Sequence, residues 1–166
     1  MKRRMVIGCG NLFRRDDGIG IHVIERLRKE QVPNDVELFD AGTSGLEILF
    51  QARDCHELII IDACRSKSEP GAVFKVPGSE LPLSYTPTLT LHDFRWDHAL
   101  YAGTRLFGEN FPKSVTAFLI EGSDFGFGDN LSKEVRHALP IVVQQVLAFL
   151  VAPQETCNGR LDPSET

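Results

Sequence analysis

Met5-Val6-Ile7-Gly8-Cys9-Gly10-Asn11-Leu12-Phe13-Arg14-Arg15-Asp16-Asp17-Gly18-Ile19-Gly20 decides the fold. A short apolar run meets a glycine turn, passes two adjacent acids and enters a segment of helical period. Strand, turn and helix in that order open an α/β sheet, and such sheets gather ligands at the carboxyl ends of their strands. The turn is acidic. A phosphate cradle needs backbone N–H groups and usually a lysine, so two carboxylates there repel phosphate and instead attract a cation or a cationic substrate.

Outward from this unit the same alternation continues. Asp17 to Glu30 is expected to be helical, with Ile19, Val23, Ile24 and Leu27 on one face. Val36 to Asp40 is a second strand, Gly42-Thr43-Ser44-Gly45 a turn, and Leu46 to Ala52 a short helix. Leu58-Ile59-Ile60-Ile61 is apolar without interruption, the pattern of a central parallel strand covered on both faces. Gly71 to Val76 is a further strand suited to an edge. Glu80 to Leu91, rich in Pro, Ser and Thr, is a loop, and Asp93 to Phe107 a helix. Ser114 to Glu121 is another strand, followed by the glycine-rich Gly122 to Asn130. Ser132 is placed to cap a last helix reaching Leu150, which Pro140 should bend. The sum is an α/β fold: three layers, with a twisted, mostly parallel sheet of about five strands flanked by helices. Residues 1–151 form a single domain in this reading, and 152–166 a flexible tail.

Composition narrows the function. The 166 residues suit one domain with no need of a disulfide or structural metal. A net charge of −5 argues against nucleic acid held by charge. Cys9, Cys55, Cys64 and Cys157 form no C-x-x-C pair. The basic start is followed by too short an apolar stretch for a signal peptide, and no run is expected to span a membrane. A cytoplasmic protein with reduced thiols is the expectation.

Three side chains draw attention as a candidate site: Asp17 just beyond the first strand, Asp62 at the end of the Leu58–Ile61 run, and His92 at the end of the polar loop. If the first strand lies between the second and third, Asp17 and Asp62 meet at one crevice, and the long loop can bring His92 over it. Two carboxylates in one crevice need a counter-charge or a proton. A divalent metal held by one imidazole and two carboxylates satisfies them and leaves positions open for chemistry. Each residue also has an ordinary alternative: Asp17 as a helix-start acid, Asp62 as a loop cap, His92 as a helix-start histidine. Asp16 competes with Asp17 for its place. His98, six residues beyond His92, is off the helical face and is expected at the surface or beside Asp97.

Other chemistries lack their residues. Phe13 breaks the G-x-G-x-x-G pattern begun by Gly8 and Gly10, and there is no P-loop, nucleophile elbow or H-E-x-x-H. Cys64 has no evident activating base, so a small half-buried residue is the expectation for it.

Ile7-Gly8-Cys9-Gly10-Asn11-Leu12 with Asp16-Asp17-Gly18-Ile19-Gly20 resembles the opening motif of the nickel-iron hydrogenase maturation proteases. Asp40-Ala41-Gly42-Thr43-Ser44-Gly45, Leu58-Ile59-Ile60-Ile61-Asp62-Ala63, His92, Glu121-Gly122 and Leu131-Ser132 with Glu134-Val135 follow in matching order. The resemblance covers about residues 5 to 150. It implies a phosphorylase/hydrolase-like fold and an endopeptidase that removes the C-terminal extension of a hydrogenase large-subunit precursor after nickel has entered it. The family's metal-binding cleft maps onto Asp17, Asp62 and His92. The nickel arrives with the substrate, or the protease holds a divalent metal of its own; no nucleic acid or membrane is involved. A non-cleaving nickel-sensing module, or another hydrolase on a related scaffold, are the alternatives. The chain departs from the family after the histidine, where His92-Asp93-Phe94-Arg95-Trp96-Asp97-His98 replaces the usual Glu or Gln followed by Gly-Leu. Phe94, Arg95 and Trp96 are therefore expected to select the hydrogenase class, and the turn Gly42, Thr43, Ser44, Gly45 to lie beside the cleft and touch the substrate chain.

Overall fold

The computed structural model describes residues 3–81 and 94–153. Its sheet has the strand order β2-β1-β3-β5-β4, with β1 (Arg4–Cys9), β2 (Val36–Gly42), β3 (Glu57–Cys64), β4 (Val73–Pro77) and β5 (Ser114–Glu121). β1 lies between β2 and β3, with Val6 opposite both Leu38 and Ile59. β3 continues in parallel to β5, and β4 closes the edge in the antiparallel sense. This is the three-layer, mostly parallel α/β sheet expected from the sequence.

Strand period explains the layers. Val6, Ile59 and Ile61 point to one face of the sheet, where they meet helix α1 (Ile19–Leu27) and helix α4 (Lys133–Val151). Met5, Ile7, Leu58 and Ile60 point to the other, against α2 (Gly45–Gln51) and α3 (Trp96–Phe107). All four residues from Leu58 to Ile61 are fully buried. Each such side chain contributes about 1.5–3 kcal/mol, so β3 anchors the sheet and fixes whatever sits at its end. α1 lies close on the sheet because residue 20 has no side chain. A Cβ at Gly20 would stand 2.3 Å from the Ile61 carbonyl oxygen and 2.5 Å from that of Cys9.

Three elements differ from expectation. The acidic pair does not begin the α-helix: Arg15–Gly18 is a 3-10 turn, and α1 starts at Ile19. Within this turn the Asp16 carboxylate is engaged by distant backbone. Ser132 precedes α4 as expected, but its hydroxyl does not cap the helix; its backbone N–H instead donates to Asp16 Oδ1 at 2.7 Å. As expected, α4 holds Pro140 inside it, where the ring removes one backbone donor without ending the helix. Contrary to expectation, this 19-residue helix is long and apolar enough to cross a membrane. Val135, Leu139, Val142, Val143, Val146 and Leu150 are buried against the sheet layer, so it serves as a core helix. The loop expected from Glu80 to Leu91, His92, the start of the helix expected at Asp93, and nearly all of the expected tail lie outside the described residues.

Candidate active site

Parallel pairing brings the ends of β1 and β3 together, with Gly8 opposite Ile61. One residue further along each strand are Cys9 and Asp62. The chain leaves β1 through Gly10, and the 3-10 turn returns Asp17 to the same place. The result is a cleft of about 200 Å³ lined by Asp17 and Asp62 with Cys9, Gly10, Gly42, Thr43, Gly45, Ile48, Arg95 and Trp96. A second opening of about 220 Å³ shares Asp17 and Thr43 and adds Asn11, Arg14, Arg65 and Phe125, so the cleft continues as a groove. A larger cavity, about 800 Å³, lies at the amino end of β5 around Ser114–Thr116, at the opposite end of that strand from the site chemistry.

The two aspartates differ in environment. Asp62 is 4% exposed. Burial pushes its carboxyl up to about 6; hydrogen bonding from Trp96 and the charge of Arg95 pull against this, while the charge of Asp17 adds to it. Trp96 Nε1–H donates to Asp62 Oδ2 at 2.8 Å, Arg95 Nη2 stands 3.3 Å from the same oxygen, and the Ala63 N–H donates to Oδ1 at 2.8 Å. Asp17 is half-buried, and its Oδ2 accepts the Asn11 N–H at 2.9 Å. Its Oδ1 accepts no hydrogen bond among the described residues.

Asp16 is not part of this cleft. Its carboxylate is fully buried and accepts backbone N–H groups of Ser123, Asp124 and Ser132 at 2.7–2.9 Å. Burial works to raise its carboxyl, but these hydrogen bonds prevail and hold it below the usual range.

Of the expected substrate-contacting turn, Gly42, Thr43 and Gly45 line the cleft. Ser44 does not; its hydroxyl accepts the Glu47 N–H at 3.2 Å and caps α2. Phe94 packs with the core cluster of α2 and α3, while Arg95 and Trp96 reach Asp62. His98 is half-buried at the start of α3, where its Nδ1 accepts the Arg95 N–H at 3.2 Å. Cys64 is half-buried, as expected. Burial and the neighbouring Glu121 carboxylate push its thiol up to about 12, and it donates to Glu121 Oε2 at 3.2 Å. Cys9 and Gly10 were missed as lining residues. Their place at the end of a strand adjoining Asp62 was the available signal.

Among the described residues no three His, Cys, Asp or Glu side chains form a metal-sized cluster. Two carboxylates at one cleft are nonetheless suitable oxygen donors for a divalent cation, and Asp17 Oδ1 is available to one.

The family profile described as HycI, hydrogenase maturation protease, matches residues 21–149. The hydrogenase 2 maturation protease of Escherichia coli (strain K12) is 32% identical over 150 residues, covering 89% of this chain and 90% of that protein. A putative hydrogenase maturation protease of Methanocaldococcus jannaschii is 40% identical over 86 residues, a match spanning 49% of this chain and 56% of that one. The solved structure of the hydrogenase maturating endopeptidase HybD from E. coli superposes with a TM-score of 0.76 at 29% identity, over 89% of this chain and 91% of that chain. The hydrogenase 2 maturation peptidase from a Thaumarchaeota archaeon does so with a TM-score of 0.69 at 27% identity, over 90% and 99%. With a profile match over most of its length and a relative of like size and identity, this chain belongs to the hydrogenase maturation protease family and is a peptidase.

Proposed function

We propose that this peptidase removes the C-terminal extension of a nickel-iron hydrogenase large-subunit precursor once nickel is in place, with Asp17, Asp62 and His92 as the side chains that read the metal. One observation carries the reading: Asp17 and Asp62, 45 positions apart in the chain, line a single cleft at the carboxyl ends of β1 and β3. The nickel is substrate cargo. A docked precursor without it leaves Asp17 and Asp62 closed into one cleft with Arg95 as the cation at Asp62 and none at Asp17, and that imbalance is the basis for discrimination. When bound, the cation polarises a nearby carbonyl.

The chain's own groups supply the rest. Gly42, Thr43 and Gly45 bring backbone close to the cleft, so an extended peptide lies against main chain rather than side chains. Asp62, buried and with raised proton affinity, is suited to take a proton from an attacking water in the cleft. Arg95 and Trp96 contact the substrate from the opposite wall and help select the hydrogenase class. The reaction takes place in the cytoplasm, and neither nucleic acid nor membrane takes part.

Mass spectrometry of a nickel-loaded large-subunit precursor, before and after incubation, tests this. Wild type is expected to release a C-terminal peptide, and Asp17→Asn and Asp62→Asn to release none while remaining folded. Normal processing by both variants would falsify the assignment.

A further inference from the structure

Asp62 already has a cationic partner from its own chain. Arg95 Nη2 stands 3.3 Å from Asp62 Oδ2, and Trp96 Nε1–H donates to that same oxygen at 2.8 Å. The Asp62 side chain is 6% exposed and that of Arg95 65%, so a guanidinium reaches in from solvent over a buried anion. The other oxygen takes the Ala63 N–H. A cation entering the cleft to use Oδ2 must therefore replace donors that are already there.

The fold holds these donors in position. A Cβ at Gly45 would lie 2.1 Å from the Phe94 carbonyl oxygen and 2.7 Å from that of Arg95, so the backbone entering α3 rests directly on the first turn of α2. His98 Nδ1 accepts the Arg95 N–H and so holds the same backbone a second time. The main chain of Arg95 is held while its long side chain stays largely in solvent.

We propose that Arg95 is a built-in counter-cation: it occupies Asp62 against free divalent metal and yields to a cation presented by a docked precursor. The proposal rests on the reading of Asp17 and Asp62 as the side chains that read the metal. It deepens that reading by giving the cleft a reason to ignore metal in solution. A guanidinium is charged at every working pH, so it competes with free metal at all times. An ion delivered by a bound protein has the docking contacts behind it and acts at high effective concentration. Selectivity for loaded precursor over dissolved metal follows from that difference.

Trp96 is the chain's single tryptophan and touches the carboxylate in question, so its fluorescence reports on the surroundings of Asp62. The full-length protein is titrated with nickel chloride, and separately with zinc chloride, as wild type, Arg95→Gln, Arg95→Lys and the double variant Arg95→Gln/Asp62→Asn, with thermal melts as the folding check. Arg95→Gln is expected to respond at roughly tenfold lower metal concentration than wild type. Arg95→Lys, which keeps the charge, is expected to stay close to wild type, and the double variant to lose the response. Equal half-saturation in wild type and Arg95→Gln, with the response lost in the double variant, overturns the counter-cation role and leaves the metal-reading site standing. A response that persists in the double variant places the metal elsewhere and overturns both. Silence of Arg95→Gln toward either metal up to millimolar concentration overturns the counter-cation role as well.

Discussion

Asp16 and Asp17 are adjacent in the chain and serve opposite sides of it. Asp16 is fully buried and gathers backbone N–H groups from Ser123, Asp124 and Ser132, more than 100 positions away. Asp17 accepts a neighbouring N–H from Asn11 and lines the cleft with Asp62. The 3-10 turn over Arg15–Gly18 makes this division, since its tighter winding separates the directions of consecutive side chains.

A first prediction follows for Asp16→Asn. An amide NH2 cannot accept, so at least one of the N–H groups now bound by the carboxylate loses its partner. The expected cost is about 2–3 kcal/mol, measured by urea unfolding. Because Asp16 does not line the cleft, processing of loaded precursor should persist below the lowered transition. Loss of processing in a folded Asp16→Asn protein would refute the division of roles.

Gly45 gives a second prediction. Its Cβ would collide with the Phe94 and Arg95 carbonyl oxygens, and both belong to backbone, which cannot turn aside as a side chain would. Gly45→Ala should therefore displace the start of α3, draw Trp96 from Asp62 and shift Trp96 emission, with processing reduced at least tenfold. An unchanged emission spectrum with normal processing would show that the close approach has no functional weight.

Which parts of this were legible in the sequence follows from the range of the interactions. The Leu58–Ile61 run announced a central strand because burial on both faces requires an unbroken apolar pattern. The placing of β1 between β2 and β3 then brought Asp17 and Asp62 to one crevice, as the topology argument required. The division between Asp16 and Asp17 was not legible, because it is decided by backbone N–H groups of a loop more than 100 positions away, and any residue type can supply those. The same holds for Trp96. Its aromatic character suggested a partner surface, but the hydrogen bond from its indole to Asp62 depends on how closely α3 approaches Gly45. Ser132 was read from its position before a helix, where serine hydroxyls commonly cap, and the Asp16 carboxylate turned out to use its backbone instead.

Glu121 sets a third prediction, on pH. The side chain is buried at the end of β5 and accepts from the Ser66 N–H, the Ser66 hydroxyl and the Cys64 thiol. Burial raises its carboxyl, but the hydrogen bonds outweigh this and hold it below its usual value. A carboxyl depressed in the folded state binds its proton more tightly when unfolded. Its contribution is thus complete above the unfolded value, about 4.3, and is lost as pH falls through the folded one. Glu121→Gln should cost about 1 kcal/mol at pH 7. The two proteins' stabilities should converge as pH drops below about 4. A constant difference across that range, in unfolding followed by circular dichroism, would assign the effect to packing.

Asp62 combines a demand for charge with a place that disfavours it, and this gives the last prediction. The carboxylate lies at the end of the most buried strand, 4% exposed, with Asp17 as a like-charged neighbour. The Arg95 contribution comes from a side chain that is itself largely in solvent, where screening weakens it. Asp62→Asn removes the buried charge; the amide keeps a carbonyl oxygen for the Trp96 N–H and nearly the same shape, while the Ala63 N–H loses the oxygen it now donates to, which offsets part of the gain. If the charge is retained for the reaction and not for the fold, the variant should melt about 2–4 °C higher at pH 7 while releasing no peptide from loaded precursor. Differential scanning calorimetry and the mass-spectrometric assay on one preparation decide it. A lower melting temperature with processing preserved would make Asp62 a structural anchor of the β3 terminus and remove it from the chemistry.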